Sequence, residues 1–398
     1  MSRIRSRLTW LAVGASAMAL TACGGGGGGA TPVAGDPAPA PAPAPSPTVT
    51  SYAVTNLVSD QAGVAVSQDP NLVDAWGIVF APGQAVWVAD NGTNKSTLYD
   101  GNGVIQSLVV SIPPGTSTMN LPGGTANPTG IVYNGTSGFQ VNGAASSFIF
   151  VGEEGTISGW SGGTVAVKAV DNSAAGAVYK GVGIYTPSGG TSLLFAANFH
   201  AGTVDVFNSS FQPTTVANGF VDPNLPAGYA PFNVQCINNL VFVAYAQQDS
   251  KDAPTNFNET DGAGLGFVDE FDVTGKFIMR FDAPGGHLNA PWGLAIAPAN
   301  YGSLSGDLLV GNFGDGTISA YSLSTGAYVG KLMSANNTVV TLPGLWGIAF
   351  GNGSFSQPAT TLFFASGPSM ENHGLYGRID LPGTYTPPSA TPPPAPGY

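Results

Sequence analysis

Cysteine, histidine and charged residues are scarce in this chain of 398 residues. It has two cysteines and three histidines, and 9 % of its residues are charged, against about a quarter in a typical soluble domain. So few histidines leave few general bases for nucleophilic catalysis. The sequence also contains no Cys-x-x-Cys-His haem site and no phosphate-binding loop.

Basic residues are scarcer than acidic ones. Eleven Lys and Arg stand against 23 Asp and Glu, which gives a formal net charge of −12. Such a surface repels phosphate backbones, so the sequence predicts no nucleic-acid partner. Helix-favouring Glu and Lys are few, while Val, Thr, Phe and Tyr are frequent, and this balance favours an all-β fold. With 43 % hydrophobic residues, the chain can build a core despite its 57 glycines and 32 prolines.

Residues 1–22 have the pattern of a bacterial export signal. Three arginines precede an apolar run at 8–20, which has the length of a signal-peptide core and is too short to span a membrane. The run ends in Leu20-Thr21-Ala22-Cys23, which resembles the lipobox of bacterial lipoproteins. The resemblance implies that the mature protein begins at Cys23 and is lipidated there. Gly24 stands where that family places an inner-membrane retention signal, so the implied location is the outer membrane, facing the periplasm or the cell surface.

The lipidated cysteine would be followed by a tether over residues 23–50. A glycine run at 24–29 is flexible, and the Ala-Pro alternation at 37–47 favours a semi-rigid polyproline II spacer. A second Pro-rich tail covers residues 384–398, which leaves 51–383 for the folded domain. Cys236 remains as the one thiol in that domain, where it reads as a small buried hydrophobe.

Six copies of one unit fill the domain. They align on Gly77, Gly130, Gly183, Asn233, Gly293 and Gly347, with spacings of 53, 53, 50, 60 and 54 residues. Each alignment point is followed by an apolar strand, a polar turn and an aromatic-bearing strand. Four short strands in each unit are typical of a propeller blade, so the sequence predicts an all-β, six-bladed β-propeller. The last copy lacks a fourth strand, so we expect the N-terminal strand at 52–58 to complete it.

The repeats resemble NHL-repeat propellers. Pro291-Trp-Gly-Leu, Val88-Ala-Asp90 and Ala197-Asn198 match that family's pattern. The chain also resembles a group of uncharacterised secreted bacterial proteins built on such a propeller. NHL-type propellers bind protein, bind RNA or carry enzymes, so the resemblance implies the fold without choosing an activity.

Aromatic residues occupy equivalent positions in four copies, at the start of the innermost strand. Two interpretations are open: they rim the channel and stack on a ligand, or they pack between neighbouring blades. The candidate rim consists of Trp76, Phe232, Trp292 and Trp346.

Polar residues recur after the second strand of the copies, where they would face the same mouth. Carboxylates and amides there suit Ca²⁺ or Mg²⁺, although Asp and Asn also recur in such places because they cap turns. The candidate metal ligands are Asp90, Glu153, Asn198 and Asn312. The longest copy carries an acidic insertion at 247–266, expected to project from the mouth as a solvated loop or to bind Ca²⁺.

These patterns predict a lipid-anchored binding module for a protein or a glycan. The alternative is a divalent-cation-dependent hydrolase or lyase, similar to lactonase propellers, with its site at the mouth. Lactonases of that kind place Asn and Asp at the start of the inner strands. This chain has Thr129, Val182, Phe232, Trp292 and Trp346 there, and only Asn233 offers an amide or carboxylate oxygen.

Overall fold

The computed structural model describes residues 50–117 and 125–386. The predicted export signal, Cys23, the tether up to residue 49 and the tail from residue 387 lie outside the described residues. No helix in the described ranges is long and apolar enough to cross a membrane.

Six of the sheets formed by the described residues are the blades, each built mainly from antiparallel strands and supplied by one predicted copy. From the innermost strand outwards, blade 1 contains Ala75–Phe80, Val86–Asp90, Lys95–Tyr99 and Val110–Ser111, and blade 2 contains Pro128–Tyr133, Phe148–Gly152, Thr156–Trp160 and Val167–Asp171. Blade 3 contains Tyr179–Tyr185, Leu193–Asn198, Thr203–Asn208 and Pro213–Thr214. Each inner strand contacts the inner strand of the next blade, and the sixth contacts the first. The prediction of a six-bladed propeller is confirmed.

The other three blades follow the same order. Blade 4 contains Tyr229–Ile237, Leu240–Gln248, Phe267–Asp272 and Phe277–Phe281, and blade 5 contains Pro291–Ile296, Leu308–Asn312, Ile318–Tyr321 and Tyr328–Lys331. Blade 6 contains Leu345–Phe350, Leu362–Ser366, Leu375–Asp380 and the N-terminal strand Ser51–Ser59. Short strands at Ser67–Gln68, Gln140–Val141, Ala144–Ala145, Glu259–Thr260 and Met333–Ser334 flank these sheets.

The N-terminal strand closes the ring. Ser51–Ser59 pairs antiparallel with Leu375–Asp380, from Ala53 opposite Asp380 to Ser59 opposite Leu375. Leu57 and Val58 of this strand are fully buried. The last blade therefore combines both ends of the domain, as the missing fourth strand predicted.

The glycine that marks each copy is explained by packing around the axis. A Cβ on Gly77 would lie 2.6 Å from the carbonyl oxygen of Thr129 in the next blade, and a Cβ on Gly347 would lie 2.6 Å from that of Trp76. At these positions neighbouring inner strands approach so closely that a Cβ would collide with the backbone of the next blade. Blade 4 has Asn233 instead, and its Nδ2 donates a hydrogen bond of 2.8 Å to the carbonyl oxygen of Trp292 in the next blade.

Candidate ligand-binding site at the propeller mouth

The four aromatic residues predicted to form a rim lie together inside the propeller rather than around its opening. Trp76, Phe232, Trp292 and Trp346 are all at most 5 % exposed. The rings of Trp76 and Trp346 stack with centroids 3.5 Å apart, and Trp292 meets both edge-on. They belong to one cluster drawn from blades 1, 4, 5 and 6. Because their apolar faces bury one another, they form an aromatic plug across the axis and present no open ring face at the mouth.

A channel of about 190 Å³ runs along the inner strands and has Trp292 in its wall. Its lining is mostly Gly, Val and Ile, with Asn233, Gln235 and Cys236 as its polar and thiol-bearing members. Burial raises the pKa of the Cys236 thiol, so it stays protonated. Cys236 is half-buried in a largely apolar setting, whereas its sequence context predicted a buried residue.

A buried lysine lies against the plug. Lys180 Nζ lies 4.9 Å from the ring centroid of Phe257 and 5.3 Å from that of Trp76. It forms a 2.6 Å ion pair with Glu153 Oε1 and lies 3.6 Å from Glu259 Oε2. Burial lowers the pKa of Lys180, but the carboxylates of Glu153 and Glu259 outweigh it and the net shift is upward. Lys180 is therefore a permanent ammonium group and not a general base.

Two further carboxyl groups stand near this lysine and are not neutralised by it. Asp74 is 5 % exposed; its Oδ2 accepts a 2.8 Å hydrogen bond from Trp76 Nε1, while its Oδ1 has no hydrogen-bond partner. Burial and the charge of Glu371 raise the pKa of Asp74 well above its ordinary range. Burial and the charges of Glu259 and Glu153 raise the pKa of Glu371 to about 7. The mouth therefore holds more carboxyl groups than it can ionise freely at neutral pH.

A cleft of about 370 Å³ opens beside these groups, and we call it the mouth cleft. Its acidic wall consists of Glu259, Asp261 and Glu371, and its apolar wall includes Phe313 and Met370. The Phe313 ring stacks on Trp346 at 4.0 Å, so the cleft floor continues into the plug. Gly367 also lines the cleft, and a Cβ there would collide with Asp74 Oδ1. The unpartnered oxygen of Asp74 is thus directed at the cleft wall.

The insertion in blade 4 builds part of this site. It was expected to project from the mouth, but Glu259–Thr260 pairs with Gln247 and Gln248 and so folds back onto its own blade. This pairing brings Glu259 and Phe257 onto Lys180. His200 Nδ1 lies 2.6 Å from the carbonyl oxygen of Thr255, which fixes the insertion to blade 3.

Three of the four candidate metal ligands, Glu153, Asn198 and Asn312, have separate partners. Glu153 alone among them contacts Lys180, and its Oε2 accepts from Asn91 Nδ2 at 3.1 Å. Asn198 Nδ2 donates to Asp205 Oδ2 at 2.9 Å, and Asn312 Oδ1 accepts from the backbone N of Asn289 at 3.0 Å. In the part of the chain that the structure describes, no group of three or more His, Cys, Asp or Glu is arranged to hold a metal ion.

The amides share a structural role. Asn198 donates to the residue seven positions later, Asp205, and Asn312 donates to Ser319 at 3.3 Å with the same spacing. These bonds join the second and third strands of a blade at the mouth end. Asp90 has the same spacing to Thr97, but neither its carboxyl oxygens nor Thr97 Oγ1 has a partner. Burial raises the pKa of Asp90 well above its ordinary range.

No family model matches the chain. It is 30 % identical over 344 residues to "Uncharacterized protein R648" of Acanthamoeba polyphaga mimivirus, covering 83 % of this chain and 80 % of that protein. The chain belongs to the family of this mimivirus protein. Membership of this family indicates no particular activity, because the viral protein is itself uncharacterised.

The comparison with solved structures supports the propeller fold of this chain. A protein of unknown function from Bacteroides thetaiotaomicron aligns with a TM-score of 0.50 at 10 % identity, covering 83 % of this chain and 76 % of that one. A virginiamycin B lyase from Staphylococcus aureus aligns with a TM-score of 0.42 at 13 % identity, covering 83 % and 99 %. The second similarity is too weak to indicate an activity.

Sequence reasoning missed Lys180 and Asp74 as site residues. Both stand three residues before the position that aligns the copies, and Asn127 occupies the same place in blade 2. The other three copies have small residues at that place: Ala230, Ala290 and Gly344. Three polar side chains in consecutive blades at an otherwise small or apolar position were the available signal. A lysine within the apolar strand Tyr179–Tyr185 was a second one.

Proposed function

We propose that this protein is a recognition module that binds a protein or glycan ligand in the mouth cleft and is held at the outer membrane by lipidated Cys23. The observation that carries the binding site is Asp74 Oδ1, a buried oxygen without a partner beside a cleft walled by Glu259, Asp261 and Glu371. Buried polar atoms normally have a hydrogen-bond partner, and exceptions concentrate where function requires them. The plug supports this role because it gives the cleft a rigid floor.

Binding in the cleft is tested with an array that contains basic peptides, acidic peptides and neutral glycans. The full chain is compared with the double variant Glu371→Gln, Asp261→Asn and with Asp307→Asn, which removes one carboxylate from the opposite end of blade 5. We expect binders of the full chain to be lost in the double variant and kept by Asp307→Asn. Ligands that still bind the double variant would show that they are recognised elsewhere on the propeller.

The membrane anchor has its own test. Cys23→Ala removes the thiol that the lipobox resemblance implies is lipidated, so we expect the variant to appear in the soluble fraction after cell lysis. Continued sedimentation of Cys23→Ala with outer membranes would contradict the anchor without affecting the binding proposal.

A second candidate function is a hydrolase or lyase at the same mouth. The pKa of Glu371, raised to about 7 beside Asp74, favours it because a general acid works best when its pKa is near the working pH. Turnover of ester or lactone substrates that Glu371→Gln abolishes without weakening binding would support this candidate. The Ca²⁺- or Mg²⁺-dependent form additionally requires that EDTA lower the melting temperature.

A further inference from the structure

We infer that the mouth cleft binds an organic cation, a primary ammonium or guanidinium group. This inference rests on the proposed function and names the chemistry that the cleft would recognise.

Charge balance is the first step. The carboxyl groups of Asp74, Glu153, Glu259, Asp261 and Glu371 surround the mouth, and Lys180 pairs with two of them, Glu153 and Glu259. No Lys, Arg or His is among the described residues that line the cleft. The exposed Lys251 lines an adjoining groove, which shares Glu259 and Asp261 with the cleft. A low-dielectric cleft with this excess of acidic groups attracts positive charge.

The protein itself shows how this mouth holds an ammonium group. Lys180 pairs with two carboxylates and lies over aromatic faces, which is the setting that favours alkylammonium ions. The cleft offers the same components again: carboxyl groups on one wall and the half-buried Phe313 ring on the other. A ligand cation would therefore meet the chemistry that already stabilises Lys180.

The unpartnered oxygen of Asp74 gives the second, independent observation. It is buried, it lies against Gly367 of the cleft wall and it makes no hydrogen bond, while the Trp346 indole interacts with the Asp74 carboxyl and lowers its pKa. An ammonium or guanidinium group carries several N–H donors, so one ligand group can bond more than one of the carboxyl groups that line the cleft.

A bare metal ion fits this arrangement less well than an organic cation. Ca²⁺ needs several oxygens converging within about 2.6 Å of one point, and the described residues contain no such group of acidic or His and Cys side chains. An organic cation spreads its donors over a wider span and has an apolar stem. Met370, 91 % exposed at the cleft, offers a surface for that stem.

The backbone holds this wall in a costly conformation. Ser369, Met370 and Glu371 are consecutive non-glycine residues with φ of 59°, 56° and 64°. This conformation is unfavourable for a non-glycine residue and persists where the surroundings require it. The effect is that Glu371 faces the mouth.

Isothermal titration of the full chain at pH 8 and low salt tests the inference with spermidine, the capped peptide acetyl-Gly-Arg-Gly-amide, calcium chloride and cellotriose. We expect spermidine or the peptide to bind, and Glu371→Gln to weaken binding by more than about tenfold because one buried charge partner is lost. Asp307→Asn controls for the general attraction of cations to an acidic protein and should change binding by less than about twofold.

The outcomes separate the possibilities. Binding of spermidine alone points to a polyamine, and binding of the peptide points to an arginine of a protein partner. No binding of either cation, or equal losses in Glu371→Gln and Asp307→Asn, overturns the inference. If cellotriose binds in a Glu371-dependent way while the cations do not, the organic-cation inference fails and the recognition proposal stands. Calcium binding that depends on Glu371 with no organic cation bound would instead make this a metal site.

Discussion

At the residue scale, the positions that repeat around the ring have structural roles, and the positions that break the repeat build the site. Asn198 and Asn312 bond the second strand of a blade to the third. Lys180 and Asp74 replace the small residues found at the same position in blades 4 to 6. A charged side chain at that position reaches the mouth because the inner strand begins there.

Asp90→Asn is expected to stabilise the protein. Asn198 and Asn312 show that an amide at this position can donate to the third strand, and Thr97 Oγ1 is an acceptor without a partner. The folded-state pKa of Asp90 is raised, so its contribution to stability is present below the unfolded pKa and is lost as pH rises. We expect a gain of about 1 kcal/mol at pH 8, measured by urea denaturation.

The reciprocal change Asn198→Asp serves as the control for this prediction. It places a carboxylate beside Asp205 and should destabilise the protein. A loss of stability in Asp90→Asn would contradict the proposed equivalence of the two positions.

Lys180→Met is expected to cost about 3–5 kcal/mol, because it leaves Glu153 and Glu259 buried without their cation. The double variant Lys180→Met, Glu153→Gln should recover part of that loss, and a double-mutant cycle in urea measures the coupling. Additive effects in the cycle would show that the ion pair is not the source of the loss.

At the element scale, two segments are held in place by contacts with residues far away in the sequence. They are the N-terminal strand and the insertion of blade 4. The N-terminal strand Ser51–Ser59 completes blade 6, and Tyr52 Oη donates a 2.9 Å hydrogen bond to the carbonyl oxygen of Tyr301 in blade 5. Asp60, just after the strand, pairs with His373 Nδ1 at 2.7 Å and accepts from the backbone N of Gly374. The insertion of blade 4 similarly gains its position from contacts with blade 3 and Lys180.

A chain that begins at Asp60 should lose most of its cooperative thermal unfolding transition. Removing Ser51–Ser59 exposes the edge of Leu375–Asp380 and uncovers the sites of Leu57 and Val58. A peptide of residues 51–59 added in excess should raise the melting temperature again, because it supplies the missing strand. An unchanged melting temperature without the peptide would contradict the role of this strand in ring closure.

At the scale of the whole molecule, an acidic chain has folded with several carboxyl groups inside it. Burial raises the pKa of Glu371 to about 7 and that of Glu154 to about 8. Burial likewise raises the pKa of Asp269 to about 7, against its hydrogen bonds with Arg280. The folded state therefore binds protons more tightly than the unfolded chain does between pH 5 and 8.

The protein should be more stable at pH 5 than at pH 8. A raised carboxyl pKa contributes stability that is present below the unfolded value, near 4, and is lost as pH passes the folded value near 7 to 8. Calorimetry at both pH values measures the change, and Glu154→Gln with Glu371→Gln should flatten the profile. A melting temperature that rises from pH 5 to pH 8 would contradict the raised pKa values.

The sequence determined the architecture because the features that specify a propeller are local and repeated. The aligned glycine, the apolar second strand and the missing fourth strand of the last copy predicted six blades and their closure. These patterns are readable along the chain because each blade is built from consecutive residues.

The arrangement of the mouth depends on how the blades pack around the axis. The sequence shows that four aromatic residues occupy equivalent positions: Trp76, Phe232, Trp292 and Trp346. Whether their rings face solvent or one another depends on how wide the space around the propeller axis is. The charged residues of the mouth come from different blades and an insertion, and closing the ring brings them together. They are Lys180, Asp74, Glu259 and Glu371. A site assembled from side chains far apart in the sequence is set by how the blades pack, and that packing is not written in any one repeat.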